Sequence, residues 1–224
     1  VRVDAVTLEE LKSADGDPFR QLFAVYAASI NPREQKPEDW LRAMVAAPEY
    51  RVWIAQDAGQ PGEGQKRVLG FSILFVPPGE GFALLEYMAV APEKRGHGFG
   101  GTLFRRTVEH AVTPEGAGLP VVLEVDSDRE ASSDRAERTR RIRFYRRLGC
   151  VKIAGLRYLM PLCGVGPVPE MDLLVYRAVP PAPLARGDLQ RWLQAIYRHV
   201  YHGSPDDPRI AQMLQPLPDP VMVE

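Results

Sequence analysis

From Pro18 onward Phe19, Leu22, Phe23 and Tyr26 recur three and four residues apart, the spacing that gathers side chains on one face of a helix. After Pro37 the same pattern returns in Trp40, Leu41, Met44 and Val45, predicting a second helix with these four on one face. The polar segment "SINPREQKP" between them is a loop. The periodicity then changes. "YRVWIAQ", "VLGFSILFV" and "FALLEYMAV" are short apolar runs separated by "DAGQPGEGQKR" and "PPGEG", which predicts an antiparallel three-strand meander. Further on, Leu103, Phe104, Thr107, Val108 and Ala111 mark an amphipathic helix that fades before "TPEGAGLP", and "VVLEVD" reads as a buried strand.

"SDREASSDRAERTR" is long, polar and mixed in charge, and predicts a mobile loop running into the helix "RRIRFYRRLG", with Gly149 as its C-terminal stop. Two more strands, "VKIAGLRYLM" and "MDLLVYRAV", flank a Gly/Pro turn. "PPAPLARG" is a stiff linker. Beyond it Leu189, Trp192, Leu193, Ile196, Tyr197 and Val200 form one helical face, which must pack on this chain or, as the alternative, on a second copy in a homodimer. The tail is broken by prolines, and no internal repeat is visible. The expected fold is α/β, in the α+β sense: a mixed, mostly antiparallel central sheet flanked by helices, with a C-terminal helical extension. Residues 1–179 form the domain and 180–224 the linker, helix and tail.

Composition narrows the function classes. With 45% hydrophobic and 25% charged residues in 224, the chain reads as a soluble globular protein. No apolar run approaches the roughly 20 residues a membrane helix needs. The first residues lack an apolar signal core and Cys150 and Cys163 are the only cysteines, which points to a cytoplasmic setting. A net charge of −1 gives no whole-chain case for nucleic acid.

The candidate chemistry lies in "APEKRGHGFGGTLFRR", between the third strand of the meander and a helix. Gly96, Gly98 and Gly101 fit the G-x-G-x-x-G spacing of a dinucleotide site, with Glu124 and Asp126 at about the distance of its ribose-binding acid. Two features oppose that reading: Ala91 to Arg95 separate the strand from the glycines, and no second strand-helix-strand half follows. An ATP-type loop fails as well, because Gly96 to Thr102 lacks the phosphate-binding lysine. Arg95, Gly98 and Gly100 fit the other spacing, R-x-x-G-x-G. Glycines at 96, 98, 100 and 101 let the backbone approach a ligand closely, and the helix dipole behind them favours a pyrophosphate, with Lys94 and Arg95 adding charge at its rim.

At this point "LLEYMAVAPEKRGHGFGGTLF" resembles the acyl-CoA-binding core of the GNAT superfamily of N-acetyltransferases, and "RFYRRLGCVKI" resembles its second signature, a helix bearing Phe-Tyr and ending in Leu-Gly before a strand. The order of elements matches over roughly residues 1–178. The resemblance implies acetyl-CoA as acyl donor, without a metal, in a cleft where the sheet splays between the strand ending at Val90 and "VVLEVD". Main-chain groups around Met88, Ala89 and Val90 would hold the pantetheine arm. The backbone of Arg95, Gly96, His97, Gly98, Phe99, Gly100 and Gly101 would take the pyrophosphate. Many members carry an asparagine seven residues before the helix tyrosine, where this chain has Arg138.

Glu86 sits among apolar neighbours, and strand alternation puts it on one face with Met88 and Val90. A buried acid there is costly without a task or a partner. It aligns with a glutamate that aminoglycoside-type members place beside the acceptor amine, which implies general base or amine anchor; a structural ion pair is the alternative. A lysine-like amine with a pKa near 10.4 is neutral only about once in a thousand at pH ~7.4, a deficit of about 4 kcal/mol, so a base or a water relay is expected. The resemblance assigns Tyr145 as general acid toward the CoA thiolate, against a purely packing role beside Ile142 and Leu148. The arginines from 135 to 147 read as a solvated face rather than a nucleic-acid stripe, since acids are interleaved. His199 and His202 give only a weak metal spacing. The sequence thus points to acetyl transfer from acetyl-CoA to a primary amine, small molecule or protein, by direct attack in a ternary complex. A non-catalytic acyl-CoA sensor is the alternative, and a dinucleotide enzyme the third.

Overall fold

The computed structural model describes residues 6–32, 34–57, 66–129, 132–161, 170–177 and 183–224. Cys163 and the Gly/Pro turn expected before the last strand lie outside the described residues. Two compact units emerge: Val1–Val76 with Ala83–Ala117, and Pro77–Phe82 with Gly118–Glu224.

The first unit is an antiparallel sheet in the order β1 (Val6–Glu10), β2 (Tyr50–Asp57), β3 (Val68–Phe75), β4 (Ala83–Val90). It is accompanied by helices α1 (Asp17–Ser29), α2 (Glu38–Ala46) and α3 (Phe99–Glu109). Every residue of β3 is buried, as a central strand covered on both faces requires. Phe19, Leu22, Val25 and Tyr26 of α1 and Leu41 and Met44 of α2 form one core with Val52, Ile54, Phe71, Ile73 and Ala89. On the opposite face the buried Ser72 hydroxyl meets that of Thr107 in α3 at 2.7 Å. Gly70 is what lets these layers close: a Cβ there would stand 2.7 Å from the Ala89 carbonyl oxygen and 3.4 Å from Leu103.

The expected meander is present as β2–β3–β4, and the sheet also holds a strand that was not foreseen, β1, whose alternating half-buried residues mark it as an edge. One expectation in this unit needs correction. Trp40 does not share the buried face of α2 with Leu41 and Met44; it is 45% exposed, its ring 5.6 Å from the Lys36 ammonium. A nine-residue helix turns only a narrow stripe inward, and Leu41 and Met44 fill it.

In the second unit β8 (Glu170–Tyr176) pairs antiparallel with β5 (Val121–Asp126), and also with two short strands, β6 (Val151–Lys152) and β7 (Tyr158–Leu159). The single strand expected over 151–160 is broken because Gly155, at φ +74°, turns the chain between its halves. Helix α4 (Arg135–Arg147) ends as expected at Gly149, φ +96°, with the Cys150 N–H donating to the Tyr145 carbonyl at 3.1 Å. The fold class is thus α/β with mostly antiparallel strands and flanking helices.

The C-terminal face packs in cis. Leu189, Trp192 and Leu193 of α5 (Arg186–Ala195), with Ile196, Tyr197 and Val200 of the π-helical stretch after it, are all at most 3% exposed. Each such burial contributes about 1.5–3 kcal/mol, and the face offered to a homodimer is used within the unit. The tail is not a loose end either. After α6 (Pro208–Leu214) it returns to the sheet, where Glu224 and Lys152 exchange main-chain hydrogen bonds of 2.7 and 2.8 Å.

Burial raises the hydroxyl pKa of six of the eight tyrosines, Tyr26, Tyr50, Tyr87, Tyr145, Tyr158 and Tyr197, the values for Tyr145 and Tyr197 reaching about 12. Burial likewise pushes the Cys150 thiol up to about 12. The folded state keeps these protons after the unfolded chain has lost them. Stability from this source is therefore complete below pH ~9, where the unfolded thiol begins to titrate, and is lost as the pH rises through ~12, about 3 kcal/mol for a group such as Tyr145. Urea midpoints should hold steady between pH ~8 and ~9 and fall steeply above ~10, in step with tyrosinate absorbance. A midpoint unchanged at pH ~11.5 would contradict this.

Candidate functional site

Glu86 stands at an irregularity in β4. Ile73 is opposite Tyr87 and Leu74 opposite Leu85, so Glu86 is one residue too many for the ladder, a β-bulge. The bulge overturns the expectation that Glu86, Met88 and Val90 share a face. Met88 is opposite Ser72, on the side of α3, whereas the Glu86 carboxylate meets groups on the side of α1 and α2. There its Oε1 accepts from the Lys36 ammonium and its Oε2 from the Tyr50 hydroxyl at 3.2 Å.

This pair is sheltered: the Glu86 side chain is 4% exposed and that of Lys36 13%. The loop before α2 is fixed from several sides. Gln35 donates to the carbonyls of Ala27 and Ile30 at 3.1 and 2.7 Å, the Lys36 N–H donates to the Tyr26 hydroxyl at 2.6 Å, and the Tyr87 hydroxyl donates to the Glu34 carbonyl at 2.9 Å. Burial and the neighbouring Glu86 charge raise the pKa of Tyr50 and Tyr87, so both hydroxyls stay protonated. Removing one partner of such a buried ion pair typically costs about 3–5 kcal/mol, because the other charge is left stranded. Both readings of Glu86 from sequence therefore meet here: it has a structural partner, and that partner is a primary amine.

At the end of β4 the Ala91 N–H donates to the Leu69 carbonyl at 2.8 Å. By antiparallel alternation the main-chain groups of Ala89 also turn toward β3, and those of Met88 and Val90 turn toward the strand's other edge. The main chain of Ala89 is thus engaged with β3, and its methyl lies in the core with Phe71 and Ile73. Arg95 folds back, its Nε donating to the Val90 carbonyl at 3.1 Å and its Nη2 to the Ser29 hydroxyl at 3.0 Å. Its guanidinium thus ties the end of β4 to the end of α1 instead of standing over the glycine loop.

The loop itself is built by two left-handed glycines, Gly96 at φ +84° and Gly98 at φ +82°, a backbone region costly for other residues. His97 between them is exposed. Gly98 is the N-cap of α3, Phe99 its first residue and buried, and Gly100 and Gly101 lie within the first turn. No side chain caps this turn. The N–H groups of Gly101 and Thr102 close onto the Gly98 carbonyl at 3.1 and 3.3 Å, and those of Phe99 and Gly100 precede them at the positive end of the helix. Such an end is built to accept the oxygens of a phosphate.

Tyr145 belongs to the second unit, 9% exposed on α4, with the Phe144 ring edge-on at 5.1 Å. Burial pushes its hydroxyl up to about 12, with Arg141 opposing the rise, so it is a proton donor at neutral pH. Arg138, seven residues before Tyr145, donates to Asp134 at 3.0 Å and to the Ser127 carbonyl at 3.2 Å, just beyond β5. The acids of the dinucleotide reading are engaged: Glu124 accepts from the Tyr201 hydroxyl at 2.9 Å, and Asp126 pairs with Arg141 at 2.8 Å. Among the described residues no group of three or more His, Cys, Asp or Glu is placed to hold a metal, and no helix is long and apolar enough to cross a membrane.

Sequence reasoning did not find Lys36 and Tyr50 as companions of Glu86, since they lie 50 and 36 residues away along the chain. The only signal was an unexplained lysine in the polar loop.

No curated protein matches the chain in sequence. Solved structures do match in fold. A protein assigned to the GNAT acetyltransferase family from Bacteroides thetaiotaomicron is 22% identical, with a TM-score of 0.63 over 87% of this chain and 98% of that one. A variant of the spermidine N-acetyltransferase SpeG from Vibrio cholerae is 18% identical, with a TM-score of 0.54 over 77% and 93%. NAA60 of Arabidopsis thaliana, solved in complex with acetyl-CoA, is 17% identical, with a TM-score of 0.54 over 76% and 97%. Residues 42–150, the stretch from α2 through the glycine loop to the end of α4, match the family model described as acetyltransferase (GNAT) domain. On these grounds residues 42–150 are an acetyltransferase (GNAT) domain, and the fold is one shared with solved GNAT acetyltransferases.

Proposed function

We propose that the chain transfers the acetyl group of acetyl-CoA to a primary amine by direct attack in a ternary complex. The observation that carries this reading is the sheltered Glu86 carboxylate, already holding a primary ammonium, on the strand that runs into the glycine loop. In this reading main-chain groups of Met88 and Val90 hold the pantetheine arm. The backbone from Arg95 through Gly96, His97, Gly98, Phe99 and Gly100 to Gly101 holds the pyrophosphate. Glu86 receives the acceptor ammonium and takes its proton. The free amine attacks the thioester carbonyl, and Tyr145 protonates the departing thiolate. The Tyr145 hydroxyl enters that step protonated, as a donor must, while the rise to about 12 makes it a weaker acid than a free phenol. A cytoplasmic setting belongs to the same proposal.

Occupation of Glu86 by Lys36 favours a second reading, an acyl-CoA sensor that binds the donor and transfers nothing. Screening amines and lysine peptides for CoA release separates the two. Polyamines come first, because solved relatives of similar fold are named spermidine N-acetyltransferases. Saturable CoA release that depends on the amine supports the enzyme. Tight acetyl-CoA binding with no release across the panel supports the sensor.

A further inference from the structure

We propose that Lys36 is itself an acetyl acceptor of this chain, modified on its ε-nitrogen by the chain's own acetyl-CoA; this rests on the reading of Glu86 as the group that receives the acceptor amine. The Lys36 ammonium sits on Glu86 Oε1, in the place and in the chemical form the reaction requires of an acceptor. It is delivered there by structure. Its own N–H is fixed to the Tyr26 hydroxyl at 2.6 Å, Gln35 beside it is tied to the end of α1, and the Trp40 ring flanks the ammonium at 5.6 Å. Holding a reactant in position in this way removes the entropic cost of bringing it from solution.

The step balances. Lys36 gives one proton to Glu86, and its freed lone pair forms a C–N bond to the thioester carbonyl carbon. The C–S bond breaks with its electron pair on sulfur. The nitrogen loses a second proton as the amide forms, and the thiolate gains one. The products are a neutral acetyl-lysine, CoA thiol and one proton left on Glu86. An amide carries no charge for Glu86 to pair with, so the modification also empties the carboxylate of its resident cation.

The other lysines provide the comparison. Lys12 and Lys66 are 73% and 54% exposed and would lead in uncatalysed acetylation by dissolved acetyl-CoA. Lys152 matches Lys36 in shelter, being 18% exposed and paired at 3.2 Å with the buried Asp172, but its partner is Asp172 and not Glu86. The full chain is incubated with acetyl-CoA and no added amine, and acetylation is followed at each lysine by peptide mass spectrometry, in parallel with CoA release on an amine panel. The expected result is one acetyl group per chain at Lys36, formed about 10²-fold faster than at Lys152 and faster than at Lys12, the scale of a positioned base. Glu86→Gln should abolish that preference while the exposed lysines label as before. Lys36→Arg should remove the label and keep a cation on Glu86. A protein that acetylates an added amine but labels Lys36 no faster than Lys152 overturns this proposal and leaves the enzyme standing. A protein that does neither overturns both.

Discussion

Gly100→Leu should weaken acetyl-CoA binding by about 10²-fold or more while leaving the melting temperature unchanged or slightly raised. Gly100 lies in the first turn of α3 and is not among the glycines with positive φ, so its backbone conformation suits any residue, and replacing a helical glycine removes about 0.5–1 kcal/mol of conformational cost. Only a ligand laid against the backbone would feel the new side chain. Gly98→Val makes the contrast, since at φ +82° a β-branched residue is strained by about 1–3 kcal/mol even without ligand. Calorimetric titration with acetyl-CoA, beside thermal melts, reads both effects. Undiminished binding by Gly100→Leu would remove the pyrophosphate from this loop.

Tyr145→Phe should lower kcat by about 10²-fold or more and leave acetyl-CoA affinity nearly unchanged. The ring stays, so its packing on α4 beside Phe144 is preserved, and only the hydroxyl is lost. If Tyr145 serves packing alone, the variant keeps its rate. Removing a hydroxyl buried this deeply also removes its alkaline liability, so the variant should lose less stability than wild type above pH ~10. Single-turnover rates with a good acceptor check the first effect and urea melts the second. Near wild-type turnover would show that water, not Tyr145, protonates the thiolate.

Much of the fold was legible because helical and strand periodicities are carried by large side chains: Phe19, Leu22 and Tyr26 in α1, the continuous apolar run of β3, and the face from Leu189 to Val200. What escaped has specific causes. The edge strand β1 alternates Val6 and Leu8 with Thr7 and Glu9, and only half-buries them, a pattern too short and polar to separate from a loop. The prolines of the tail read as breaks, yet the tail bonds back to Lys152 through main-chain groups that no side-chain pattern announces. The glycine loop was legible because Gly96 and Gly98 need a backbone conformation that few residues accept. The setting of Glu86 was not. Strand alternation predicts a face only while the register holds, and an extra residue in the ladder resets it without a mark in the sequence.

The measurement that bears most directly on Glu86 as the receiver of the amine is steady-state kinetics of Glu86→Gln, with acceptor and acetyl-CoA varied independently. The amide is isosteric: its oxygen can still accept from Lys36 and its NH2 can donate to the Tyr50 hydroxyl oxygen, so the site keeps its shape while the carboxylate charge is gone. The expected result is a fall in kcat/KM for the amine of about 10²-fold or more with the KM for acetyl-CoA unchanged, because charge-assisted binding and proton removal are lost together. Equal kcat/KM for the amine in variant and wild type would contradict the assignment and leave Glu86 as no more than the partner of Lys36.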